Sequence, residues 1–252
     1  MKLVTITSKT IINEFKNNED ITLVYPLNSY TVGFTLTFDI KEIDGFVLIN
    51  RILDDFDLDK LDQILHQENK IKGIIFDDLG ILELVKDLNI IKILSINHYG
   101  VNSKSINYYL EYVDSVVVSN DITKEEILKI LDNANKKLVV NVFGLKDLMY
   151  SRRRLLTNYA TYYKIKNNNP LDAFIDDKGF KIVENEYGTV FYAKKYYNAL
   201  ELLDAKNVLY YWYNPLFLDD LTIKEIVLNN NTSGVDCDKL FLDKKTTYRI
   251  GE

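Results

Sequence analysis

Short apolar runs alternate with amphipathic stretches along most of this chain. Phe46-Val47-Leu48-Ile49 ends at Asn50-Arg51 and gives way to Leu58, Leu61, Ile64 and Leu65 at helical intervals. Gly73-Ile74-Ile75-Phe76 ends at Asp77-Asp78, ahead of a helix through Leu82 and Val85. Lys92 to Ile96 ends at Asn97-His98, and Ile106, Tyr109, Leu110 and Val113 follow with helical spacing. Val116-Val117-Val118 ends at Ser119-Asn120-Asp121, where Thr123 and Glu126 have the spacing of a capping box for a helix from Lys124 to Ala134. Leu138 to Phe143 is a seventh strand that breaks at Gly144, after which a helix carries Arg152, Arg153 and Arg154.

The two ends of the chain are less regular. Lys2 to Thr7 reads as a strand, Ile11, Ile12 and Phe15 as a helix, and Ile21 to Tyr25 as a strand stopped by Pro26. Leu27 to Asp44 fits either a strand around Thr35 to Ile40 or a threonine-bearing loop. Phe180 to Tyr192 folds as a hairpin about Tyr187-Gly188, and a helix through Ala199, Leu202 and Leu203 comes next. Val208 to Tyr213 is the eighth barrel strand, Thr222 to Asn229 the last helix, and Leu240 to Ile250 a tail of β character.

Continuous apolar strands separated by amphipathic helices require a parallel sheet covered on its faces. Eight of them predict an α/β fold of the (β/α)8 TIM-barrel type, with a β-hairpin inserted before the last strand. A doubly wound open sheet is the alternative, since strand count does not prove closure. No internal repeat or linker divides the chain, so residues 1–252 are expected to form one domain.

Charge and composition narrow the chemistry. A net charge of −6 argues against general affinity for nucleic acid, so any RNA contact needs a local basic patch. The one cysteine, Cys237, can form no disulfide within the chain, and cysteines alone can build neither a zinc site nor an iron–sulfur cluster. With no signal segment and no long uncharged apolar run, the expectation is a soluble, cytoplasmic protein without membrane contact.

Candidate site residues follow from position. A guanidinium binds phosphate or carboxylate bidentately, so Arg152, Arg153 and Arg154 form a possible ligand or RNA site; on a helix at most two would face one ligand. Asn97 and His98 fall at a strand's C-terminal end, where barrel enzymes place their chemistry, and His98 suits acid–base work. Asp77 holds an equivalent place and competes with a helix-capping reading, which is preferred for Asp121. Glu184 and Glu186 flank the hairpin turn, where solvation is the ordinary outcome. His66 reads as a surface residue and Trp212 as core. No cysteine lies near a histidine, and neither HExxH nor GxSxG is present, so the residues themselves give no support to proteolysis.

The order of these motifs resembles a known family. Asn50-Arg51-Ile52, Asp77 to Ile81, Ser105 to Leu110, Ser119 to Thr123, Phe143-Gly144, Met149 to Tyr159, Glu184 to Thr189 and Phe241 to Tyr248 are similar to collagenase-like peptidase family U32. The resemblance is strongest to its short branch, linked to prephenate-dependent hydroxylation of the tRNA wobble uridine. It implies tRNA as a partner, prephenate as a co-substrate and a cluster-bearing paralogue as a second subunit. It also raises interest in Glu184 beside Asp77 and His98 as catalytic candidates. Two departures stand out. Arg154 occupies the position where relatives place a cluster cysteine, and the last barrel strand ends Tyr211-Trp212-Tyr213-Asn214 where relatives carry an arginine and a glutamate. No metal or cluster is therefore expected in this chain. A non-catalytic scaffold and a peptidase of unrecognised mechanism remain as alternatives.

Overall fold

The computed structural model describes residues 1–175 and 178–244. Eight parallel strands close into a barrel: β1 (Lys2–Thr5), β2 (Ile21–Pro26), β3 (Phe46–Ile49), β4 (Gly73–Phe76), β5 (Ile91–Leu94), β6 (Ser115–Val118), β7 (Leu138–Ser151) and β11 (Val208–Asn214). Closure is direct, because β11 pairs in parallel with both β7 and β1. Helices α1 (Lys9–Phe15), α2 (Asp55–Leu65), α3 (Ile81–Val85), α4 (Ser103–Tyr109), α5 (Lys124–Asn133) and α7 (Asp220–Asn229) fill connections around the outside. The open-sheet alternative is excluded.

Alternation along each strand separates two cores. Leu3, Val24, Phe46, Leu48, Ile75, Ile93, Val117, Val139, Tyr210 and Trp212 point inward and fill the lumen. Their neighbours Val4, Val47, Ile74, Leu94, Val116, Val140 and Tyr213 point outward against the helices. Lumen packing is tight enough that a Cβ on Gly73 would sit 2.2 Å from the Phe46 ring. Trp212 donates its indole N–H to Thr5 Oγ1 at 2.9 Å, satisfying both polar groups inside the barrel. Trp212 is thus core, as its sequence context suggested.

Helix starts follow their caps. Ser8, Asp54, Asn102 and Asp219 accept from backbone amides in the first turns of α1, α2, α4 and α7. The capping box of Thr123 and Glu126 is present at α5. Asp121 is not this cap; its carboxylate has another use, described below.

Four stretches differ from the reading of the sequence. Gly144 does not break the seventh strand: β7 continues through it to Ser151. The continuation is possible because β10 (Gly188–Asn198) supplies an antiparallel partner, from Thr189 opposite Ser151 to Asn198 opposite Phe143. The arginines consequently lie in the turn after β7, and α6 (Leu155–Tyr163) begins only beyond them. The hairpin about Tyr187-Gly188 is real, but it belongs to a three-stranded antiparallel excursion: β8 (Leu171–Ile175), β9 (Lys178–Asn185) and β10. Leu27 to Asp44 takes the loop alternative, with one 3-10 turn at Ile40–Glu42, whereas the helix expected through Ala199, Leu202 and Leu203 is a single 3-10 turn at Leu200–Leu202. The tail expected to be a strand forms turns from Leu240 to Lys244, and its remainder lies outside the described residues; the two-residue β12 (Cys237–Asp238) precedes it and pairs with β10.

Val32 and Phe34 of the Leu27–Asp44 loop join the inner core, as do Leu145 of β7 and Val190 and Tyr192 of the excursion. Loop and excursion therefore fold over the C-terminal end of the barrel. No helix among the described residues is long and apolar enough to cross a membrane.

Candidate functional site

Continuing the inward series of each strand by one more step gives polar residues. Asn50 follows Phe46 and Leu48, Asp77 follows Ile75, Ser95 follows Ile93, Asn141 follows Val139, and Asn214 follows Tyr210 and Trp212. They line a cavity of about 280 Å³ at the C-terminal end of the barrel, with Asn97, His98, Asn120 and Asp147. Phe34, Leu145, Tyr150, Val190 and Tyr192 close it from above. A cavity of this kind, at this end of a barrel, is where ligands bind.

Its electrostatics are unusual. No lysine or arginine is among the lining residues, while two carboxylates are. Asp78 is used by the backbone, accepting from Leu53 N at 2.7 Å and Gly80 N at 2.9 Å. Asp77 faces inward with Oδ1 buried and without a hydrogen-bond partner. Burial, reinforced by the Asp147 and Asp78 carboxylates, pushes its pKa from 3.8 up to about 7. Asn214 Oδ1 is a second buried oxygen without a partner. Buried polar atoms are ordinarily satisfied, so two orphans in one cavity are groups available to a ligand.

The other groups are held in place. Asn97, at a positive φ of 36°, donates to Asp147 Oδ2 at 2.9 Å across the cavity mouth. Asn50 clasps Val32 through both backbone groups, at 2.9 and 3.0 Å, and so fixes the covering loop. His98 is largely exposed, with Nδ1 2.9 Å from Asp121 Oδ2. Asp121 also pairs with the buried Lys146 at 2.6 Å, and Lys146 reaches Asn120. A cation behind the wall thus orients Asp121, and Asp121 orients His98.

Asp77, Asn97 and His98 are brought together on one cavity. Arg152, Arg153, Arg154 and Glu184 are not. Arg152 pairs with Asp54 at 3.0 Å on the surface, Arg153 is exposed, and Arg154 lies 3.8 Å from Glu184. Glu184 is buried and accepts from Leu156 N at 2.7 Å, Thr157 N at 3.1 Å and Thr189 Oγ1 at 3.0 Å. Its carboxylate closes the start of α6 and has no access to the cavity lining. The solvated turn position expected of it is therefore incorrect, although Glu186 does lie exposed. His66 is exposed beside Asp62, as a surface residue should be.

The Peptidase family U32 model matches residues 38–169, a little over half of the chain. The chain belongs to peptidase family U32. The matched span contains Asp77, Asn97, His98, Asp147 and the three arginines but stops short of Glu184 and β11. An uncharacterized protease of Methanocaldococcus jannaschii is 26% identical over 121 residues, which are 45% of this chain and 30% of that protein. The chain therefore spans about a third of that relative's length. No solved structure matches the chain. The one cysteine, Cys237, lies in β12, with its thiol pKa raised by burial. Among the described residues no group of three His, Cys, Asp or Glu is placed to hold a metal.

Proposed function

We propose that this U32 chain takes part in hydroxylation of the tRNA wobble uridine, and that its cavity receives the uracil base. The observation supporting this reading is the lining itself: five asparagines and a protonatable aspartate between the aromatic rings of Tyr150, Tyr192 and Trp212, without a cation. Enzymes that act on a base read its edge by hydrogen bonds inside a snug pocket. Uracil presents an N–H between two carbonyls, and amide side chains match both donor and acceptor. Asp77 with its proton donates to a carbonyl; an Asp147 oxygen accepts from the N–H. Prephenate, a dicarboxylate, would meet like charge in this cavity. Its binding, and the oxidation at carbon, are assigned to a cluster-bearing partner subunit.

The test is nucleoside mass spectrometry of tRNA from a strain lacking this chain and any redundant paralogue. Loss of hydroxylated wobble uridine, restored by the natural chain and not by Asp77→Asn, is the expected result. Unchanged uridines would sink the proposal, and full restoration by Asp77→Asn would leave only a scaffold role.

One observation favours a hydrolytic reading consistent with the family's name. Two aspartates, Asp77 and Asp147, line one cavity, and a pair of carboxyl groups can activate and position water. Cleavage of a peptide library by the natural chain, abolished in both Asp77→Asn and Asp147→Asn, would establish it.

A further inference from the structure

Residues 151–170 contain five arginines and lysines and no aspartate or glutamate, in a chain whose net charge is −6. The stretch comprises the arginine turn, α6 and the segment that follows. Among the described residues, Arg153, Lys164 and Lys166 form no ion pair. Between these charges α6 exposes three aromatic rings: Tyr159 is 54% accessible, Tyr162 80% and Tyr163 58%. The rings touch one another, Tyr159 to Tyr163 with centroids 4.7 Å apart and Tyr162 to Tyr163 at 4.9 Å. Leu156 and Ala160 are buried and anchor the helix, so the tyrosines are presented on a fixed support.

Tyrosine is common in this chain, and a second exposed group occurs at α4, where Tyr108 and Tyr112 pack edge to face. That group lies beside Glu111 and Asp114 and lacks a basic run. Abundance accounts for exposed tyrosines; it does not account for their placement between unpaired cations. Contiguous exposed aromatic surface marks an interaction site, and stacking rings with backbone-tracking cations are the means by which single-stranded nucleic acid is held. Position agrees with charge. The arginine turn begins directly after β7, whose Met149 and Tyr150 line the cavity.

We propose that the tyrosine face of α6, flanked by Arg153, Lys164 and Lys166, is a docking platform for single-stranded RNA, on which unpaired bases stack beside the cavity mouth. This inference rests on the RNA reading above for its ligand and adds a surface that the cavity does not require.

Fluorescence anisotropy with a labelled anticodon stem-loop and a labelled oligouridylate tests it on the full chain. Tyr162→Ala with Tyr163→Ala is expected to weaken binding at least about tenfold, and the corresponding Phe pair to retain it, because stacking needs the ring and not the hydroxyl. Lys164→Glu with Lys166→Glu is expected to weaken binding and flatten its dependence on salt between about 50 and 200 mM. Matching circular dichroism will show that each variant folds. Natural affinity in the Tyr→Ala pair overturns the platform while leaving the cavity reading intact. If the natural chain binds neither RNA, or binds anionic vesicles instead, the platform is overturned as well. RNA binding that depends on the tyrosines, in a strain whose wobble uridines do not require this chain, would uphold the platform and remove the proposed reaction.

Discussion

Replacing Asp77 by asparagine is expected to stabilise the protein above neutral pH and to have little effect near pH 4. In the native chain the Asp77 carboxyl has a pKa of about 7, against an ordinary value of 3.8. Below the ordinary value it is protonated whether the chain is folded or not, and contributes nothing. As pH rises from there toward 7, the unfolded carboxyl ionises freely while the folded one keeps its proton. Unfolding then releases a proton, and stability falls with pH until both forms are ionised. The shift corresponds to about 4 kcal/mol at 1.36 kcal/mol per pH unit, as an upper bound. Water entering through the cavity mouth screens the charge, so an effect on the order of 1–2 kcal/mol is expected. Asparagine keeps the shape, removes the charge and cannot titrate. Urea unfolding followed by Trp212 fluorescence at pH 5, 6, 7 and 8 measures the difference directly. Natural and Asp77→Asn chains should converge at the acid end and diverge through neutrality, with the variant more stable. Parallel curves across this range would show that Asp77 is solvated in the folded protein, and the electrostatic account of the cavity would fail.

Three further outcomes follow from particular contacts. Glu184→Ala removes the acceptor of two α6 amides and the Thr189 hydroxyl; a loss of about 2–4 kcal/mol is expected in denaturant titration, with hydrogen exchange quickening first in α6. Trp212→Phe strands the Thr5 hydroxyl inside the lumen at about 1–3 kcal/mol, and adding Thr5→Val should recover part of that loss in a double-mutant cycle. Lys146→Met leaves Asp121 without its buried cation, and destabilisation of about 3 kcal/mol is expected in denaturant titration.

The barrel was legible because each strand is an apolar run long enough to cross the wall and bounded by polar residues. Closure is a property of pairing between β11 and β1, some two hundred residues apart, and could only be expected from the count. Gly144 reads as a stop when neighbours alone are considered. The partner that carries β7 past it is β10, which the chain reaches only after α6, β8 and β9. The arginines read as helical for the same reason, because nothing in their spacing shows the strand that delivers them to a turn. Asp77, Asn97 and His98 could be found as strand-end residues. Asn141, Asn214 and Ser95 were missed because single polar residues after an apolar run look like turn formers. The alternation that places Val139 and Trp212 in the lumen already carried the signal. Asp147 lies on the part of β7 that was not read as strand, so nothing local pointed to it. Glu184 drew attention through family resemblance, while its burial under α6 depends on packing between distant elements.

At Gly144, with φ at +152° and no room for a Cβ beside Asn214, β7 passes from the barrel wall into the sheet that covers the cavity. Wall and roof are thus a single length of backbone, paired in parallel with β11 on one side of Gly144 and antiparallel with β10 beyond it, with register shifts in both pairings. A substitution on this strand alters one surface at one place. Inserting or deleting a residue near Gly144 would shift the roof against β10 while the wall stays paired with β11. The strand can vary in composition, but its length is held fixed by two structures at once.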